Sequence, residues 1–323
     1  MREELVFHSG RFTLAGELRA PEVEGKSPVI IFVHGDGPND RTSYGTYLPI
    51  MSRFLRAGYA CFSWDKPGTG KSTGEIDRDR LRYERAEILV DAIEMLKKHP
   101  SIDSARIGLW GISQAGYVMP QAFTMTDAIS FMIAVSCPGM SGINQTAYLI
   151  RKQLLCEGSS ENEARQAEKH FAGLFTARTY QEYLQHAQPL VENPIVQKMK
   201  FVTDIRPEEE WKPHDLEGEG FFNPMEIIEI TTIPVLAFFG EKDTQVDPLQ
   251  GVEAYKKALE KAGNQNFRIE LIPNTDHNII QCKTGCLSER DRRSSGGWKN
   301  YAPEYLDIME EWLRQLSKAV EDA

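Results

Sequence analysis

Strand-like and helix-like stretches alternate strictly between residues 28 and 136, and few folds accept that order. PVIIFVH (28–34) is a continuous apolar run of strand length, as expected of a strand buried on both faces. YLPIMSRFLRAG (47–58) spaces its apolar residues helically and ends in Gly58, a natural C-terminal cap. YACFSW (59–64) is the next strand, and DRLRYERAEILVDAIEMLKKH (79–99) is a long amphipathic helix closed by Pro100. ARIGLWG (105–111) reads as strand, 113–126 as helix and ISFMIAVS (129–136) as strand. Such an order builds an α/β fold, a mostly parallel sheet with helices on both faces. Two extended runs, 4–9 and 12–19, flank Ser9-Gly10 and precede the sheet as a hairpin.

The alternation stops near residue 140. Up to 228 no buried strand is visible, but ENEARQAEKHFAGLFTARTYQEYLQH (161–186) is amphipathic, with Ser160 and Glu163 spaced as a capping box. RPEEEWKPHDLEGEG (206–220) is polar and irregular. Alternation resumes with PVLAFFG (234–240), a helix over 248–262, FRIELI (267–272) and a helix from about 303. The expected organisation is a catalytic domain made of 1–139 and 229–323, interrupted by a helical cap at 140–228. With 323 residues and 41% hydrophobic content, the chain can bury one large core beside such an insertion.

A formal charge of −10 argues against nucleic acid or an acidic membrane as partner. The apolar runs are too short to span a bilayer, and MREELVFHSG has no signal-peptide apolar core. The five cysteines (61, 137, 156, 282 and 286) lack finger-like metal spacing and are expected as free thiols in a reducing, cytoplasmic setting.

The chemistry begins where the strand at 105–111 runs into GISQAG (111–116). G-x-S-x-G between strand and helix is the nucleophile elbow, a tight turn that lifts a serine clear of the sheet edge; here Ala115 takes the last glycine position. Ser113 would otherwise be an ordinary helix N-cap. A serine nucleophile needs a histidine base and an acid to orient it. GEKDTQVDP (240–248), behind a strand, offers Asp243, with Asp247 and Asp276 as competitors; IPNTDHNI (272–279) offers His277 after the last strand. Ser113, Asp243 and His277 follow the chain order of an α/β-hydrolase triad, each on a loop after a strand. Backbone N–H groups must then receive the oxyanion. Gln114 supplies one, and Asp36 in HGDGPNDR (34–41) the other, with Gly35 and Gly37 as alternatives and the Asp36 carboxylate turned away.

With HGDGPNDR, DKPGTGKSTG (65–74), GISQAG, GEKDTQVDP and TDHNI in place, the chain resembles a serine esterase of the α/β-hydrolase superfamily. It is similar to bacterial dienelactone-hydrolase-like and acyl-CoA-thioesterase-like esterases. Ile112 stands where many relatives have histidine. The resemblance implies an α/β-hydrolase core, an acyl-enzyme on Ser113 and no cofactor or metal. The expected partner is a small-molecule ester or thioester, and a homodimer is left open. A thioesterase, lactonase, amidase or peptidase could use the same triad, and a non-catalytic ligand-binding protein could share the fold.

DKPGTGKSTG also imitates a phosphate-binding loop through Gly70-Lys71-Ser72, but Asp65 stands where the first glycine belongs, so it reads instead as the hydrolase D-x-x-G-x-G-x-S-x-G turn. His34 reads as a structural hydrogen-bonding residue, and Cys137 as a pocket residue or a buried small apolar one. Phe171, Leu174 and Phe175 read as helix packing, and ERDRRSSGGWKN (289–300) as a solvated loop.

Overall fold

The structure is a computed structural model and describes residues 1–22, 25–291 and 300–321. Its centre is an eight-stranded sheet in the order β1-β2-β4-β3-β5-β6-β7-β8. β1 (Arg2–Ser9) and β2 (Phe12–Arg19) form the expected hairpin, and β2 pairs antiparallel with β4 (Ala60–Trp64). β3 (Ser27–Val33) lies between β4 and β5 (Ile102–Ile112), and β6 (Ile129–Val135), β7 (Val235–Gly240) and β8 (Phe267–Ile272) continue the sheet, all in parallel.

Alternate residues of β3 face opposite ways, so both sides of a fully apolar strand need cover. Val29, Ile31 and Val33 pack with α2 (Leu81–Lys97), α3 (Ala115–Phe123), α8 (Met225–Ile228) and α9 (Pro248–Lys261). Ile30 and Phe32 pack on the other face with α1 (Leu48–Arg56) and α11 (Pro303–Glu321). The strand order reverses at β3, and in open parallel sheets the crevice beyond the carboxyl ends at such a reversal is where ligands bind.

Between β6 and β7 the chain forms α4 (Gly142–Cys156), α5 (Glu161–Thr176), α6 (Tyr180–Val191) and α7 (Pro194–Met199). These helices bury an apolar cluster of their own, including Ile150, Leu154, Phe171, Leu174 and Leu190. Ser160 and Glu163 make the reciprocal capping box that starts α5.

The cysteines depart from expectation. Cys156, at the end of α4, is bonded to Cys286 across 130 residues of sequence, just before α10 (Leu287–Asp291). Cys61, Cys137 and Cys282 stand outside this disulfide. The pair was hidden because nothing local connects residues so far apart. The disulfide also removes the free-thiol ground for a cytoplasmic setting, since such bonds persist mainly in oxidising compartments. Closing so long a loop constrains the unfolded chain by several kcal/mol, typically 2–4. Reduction, or Cys156→Ser, is therefore expected to lower the thermal midpoint by several degrees, read as melting curves with and without reductant. No described helix is long and apolar enough to cross a membrane.

Candidate active site

The loops after β3, β5, β7 and β8 leave the same edge of the sheet, because these strands run parallel. They carry Asp36, Ser113 with Gln114, Asp243 and His277, respectively. Ser113 has φ +58°, a left-handed backbone that non-glycine residues rarely adopt, so the turn holds it under strain. Two hydrogen bonds hold it there: Ser113 N–H donates to Val135 O (2.9 Å) and Gly116 N–H to Ser113 O (2.8 Å). Gly116 allows the close approach of α3 to the loop after β6, since a Cβ there would lie 2.7 Å from Cys137 Cβ.

Asp243 and His277 are buried, and His277 Nδ1 lies 2.7 Å from Asp243 Oδ2. The other Asp243 oxygen, Oδ1, accepts from the amides of Gln245 (2.7 Å) and Val246 (3.0 Å). The competitors have other work: Asp247 caps α9, and Asp276 Oδ1 accepts from the amides of Asn278 and Ile280. Among the described residues the hydrogen bonds do not include one from Ser113 Oγ to His277. Neither the Asp36 nor the Gln114 amide has a protein acceptor among them either.

Helix α4 holds the 243–245 loop. Tyr148 OH donates to Asp243 O (3.0 Å), Gln153 Nε2 to Thr244 Oγ1 (2.9 Å), and Gln145 Nε2 to Gln245 O (2.6 Å). Thr244 Oγ1 in turn donates to Gly285 O, beside the disulfide. Sequence reading missed this clamp because polar residues on one helix do not name their distant partners.

A cavity of about 360 Å3 opens at Ser113, bordered by Asp36, Gln114 and Tyr117. Its outer wall comes from the inserted segment and is largely apolar, with Ile143, Leu149, Phe171 and Phe175 on helices and Phe201 just beyond α7. Phe171 and Leu174 do pack within the helical cluster, but Phe171 and Phe175 also line this cavity. Cys137 is fully buried against Gly111 O rather than lining it. Of the basic stretch 289–300, residues 292–299 lie outside the described residues. Glu289 caps the 283–285 turn, and Arg290 reaches Gln245 Oε1.

The DKPGTGKSTG loop is organised around Asp65, which accepts from the amides of Arg41 and Lys71 and from the Arg41 guanidinium. Burial opposes its ionisation, but these bonds outweigh it and hold the carboxyl below its usual range. Gly70 (φ +55°) leaves the carboxylate its space, because a Cβ there would lie 2.3 Å from Asp65 Oδ2. Lys71 pairs with Glu4, and Ser72 Oγ accepts from Ala15 N–H. The phosphate-loop letters thus tie β4 to the hairpin.

His34 is fully enclosed, and burial pushes its pKa down to about 3 despite the hydrogen bond to Trp64 O. Nε2 lies 2.6 Å from Trp64 O and must carry the proton, so Nδ1 accepts from Tyr47 OH at 3.1 Å. The unfolded histidine binds a proton below about 6.5, whereas the folded one does not until about 3. Its contribution is therefore present above pH 6.5 and lost as pH falls from 6.5 to 3, at about 1.4 kcal/mol per pH unit. Thermal midpoints from pH 7 to 4 should fall less steeply in His34→Gln than in the wild type.

The sheet and its helices have the α/β-hydrolase fold. Residues 10–267 match the X-Pro dipeptidyl-peptidase (S15 family), and the chain belongs to that family. A 105-residue segment is 37% identical to an uncharacterized 31.7 kDa protein of Escherichia coli, covering 32% of this chain and 35% of that one. The polyketide transferase grgF of Penicillium is 32% identical over 90 residues, covering 28% and 31% of the two chains. The chain thus spans about a third of the length of the curated relatives it matches. The crystal structure of the Penicillium α/β hydrolase GrgF superimposes over 98% of both chains (TM-score 0.55, 20% identity). An esterase of Pyrococcus furiosus does so over 98% of this chain and 91% of its own (TM-score 0.59, 14% identity).

Proposed function

We propose that the protein is a serine hydrolase that cleaves carboxylic esters of small to medium acyl groups through an acyl-enzyme on Ser113. The observation that carries this reading is the 2.7 Å Asp243–His277 contact, at the sheet edge where Ser113 stands on its strained turn. Ser113 Oγ attacks the acyl carbonyl and His277 Nε2 takes its proton. Asp243 keeps the histidine proton on Nδ1 and stabilises the imidazolium that forms. The amides of Asp36 and Gln114, which have no protein acceptor among the described residues, receive the oxyanion. The alkoxide departs with the proton from His277, and water, activated by the same imidazole, releases the acid. The inserted helices act as a cap that supplies the acyl wall.

Ester cleavage is favoured over removal of dipeptides by the chemistry of the cavity. A dipeptidyl peptidase must hold its substrate's free ammonium group. Among the described residues the acidic one bordering this cavity is Asp36, whose carboxylate is already bound by Gln114 Nε2 at 3.1 Å, and the outer wall is largely apolar. Thioesters, lactones and amides would meet the same catalytic groups, so matched oxygen ester, thioester and amide substrates separate these activities.

Turnover of p-nitrophenyl acetate, butyrate and octanoate by the wild type, lost in Ser113→Ala, is the expected result; equal rates in both proteins would remove Ser113 from the mechanism. Phe175→Ala enlarges the cavity and should raise the octanoate-to-butyrate ratio of kcat/KM about threefold or more, since each buried methylene is worth roughly 0.8 kcal/mol.

A further inference from the structure

Lys66 and Arg85 lie beside the site, and the mechanism above uses neither. Lys66 Nζ donates to Gly35 O (3.0 Å) and Gly37 O (2.7 Å). Arg85, buried on α2, donates through Nη2 to His34 O and through Nη1 to the Gln114 side-chain carbonyl. Asn39 Nδ2 takes Asp36 O at 3.1 Å. Four consecutive carbonyls, from 34 to 37, are therefore claimed by side-chain donors.

The described peptide bonds are all trans, and in a trans peptide the C=O and the following N–H point in opposite directions. Turning Gly35 C=O toward Lys66 turns the Asp36 N–H away from it. A rotated peptide would instead present a carbonyl where the oxyanion forms. The loop also rests on the elbow, since a Cβ on Gly35 would lie 3.5 Å from Ser113 Cβ. Arg85 spans both halves of the site, because one guanidinium grips the 34–37 loop and the side chain of Gln114. Gln114 Nε2 closes the circuit on Asp36 Oδ1.

We infer that Lys66 and Arg85 are positioning residues that set the peptide planes of the oxyanion loop and align its amides before substrate arrives. This inference rests on the serine-hydrolase reading. Burial and the neighbouring Arg85 push Lys66 down to about 6, with Asp36 opposing. The neutral amine still has two hydrogens, one for each carbonyl it holds. Preorganised donors stabilise charge as it develops, so their misalignment lowers kcat rather than weakening ground-state binding.

The test uses p-nitrophenyl butyrate with the wild type, S113A, K66M, K66R, R85K and, as a control in the same loop, K71M. The hydrolase reading requires wild-type turnover and an inactive S113A; failure there sinks that reading before the other variants are considered. Loss of one oxyanion-hole donor costs about 10²–10³ in kcat, and loss of a positioning residue less. K66M should therefore lose about tenfold to a hundredfold in kcat with KM within about threefold, K66R should recover part of it, and K71M should match the wild type. A trifluoromethyl ketone, which binds as a tetrahedral oxyanion, should lose affinity in parallel with kcat, while the corresponding methyl ketone, which stays trigonal, keeps its own. If K66M does not fold, R85K carries the same test: it keeps the charge but gives up the two-pronged grip, and its kcat should fall about tenfold. A folded K66M or R85K with kcat within threefold of the wild type overturns the inference. So does a rise in KM at unchanged kcat, which would make these residues substrate contacts.

Discussion

Ser113→Ala is expected to lower kcat for p-nitrophenyl butyrate by about a millionfold, leaving only what the oxyanion site and binding supply. Alanine has no oxygen to form the acyl-enzyme, and a water in its place would lack the fixed approach that the elbow gives the serine oxygen. The fold should survive. Alanine and serine pay similar strain at φ +58°, and the two bonds that fix the turn use only the backbone of residue 113. A melting temperature within a few degrees of the wild type, beside the lost activity, would assign the effect to chemistry rather than folding.

Asp243→Asn should cost about ten-thousandfold in kcat with KM changed only severalfold. Oδ1 of Asp243 accepts from the amides of Gln245 and Val246, so the asparagine carbonyl must occupy that position. Its NH2 group then faces His277 Nδ1, which is forced to accept. The ring proton moves to Nε2, and the imidazole can no longer take a proton from Ser113. The packing is unchanged and the tautomer is wrong. Stopped-flow or steady-state kinetics beside a melting curve would measure this, and a loss below tenfold would mean that Asp243 does not orient the base.

Much of the fold was legible because the chain states its periods plainly. The apolar runs of β3, β6 and β7 are strand-length, interrupted only by Ser130 in β6, and each observed span falls within a residue or two of the sequence reading. β5 begins earlier than read, at Ile102, because Asp103 and Ser104 interrupt the apolar pattern and Ile102 owes its place in the strand to pairing with Ser27. Ser113, Asp243 and His277 could be put on loops after strands by local pattern, and parallel pairing then carries those loops to one edge. What escaped has a common physical cause: it joins residues far apart in sequence. The Cys156–Cys286 bond, the Tyr148 and Gln153 contacts to the 243–245 loop, and the Lys66 and Arg85 contacts to residues 34–37 leave no periodic trace. The double role of Phe171 and Phe175 was missed for a related reason. An aromatic stripe at helical spacing looks the same whether its far side meets another helix or a cavity.

Active-site labelling tests the central claim most directly. The protein would be treated with a fluorophosphonate, digested, and the adduct located by mass spectrometry, with Ser113→Ala in parallel. The account predicts one adduct, on the peptide containing Ser113, and none in the variant. An adduct on another residue, or none at all on protein that still hydrolyses esters, would contradict it.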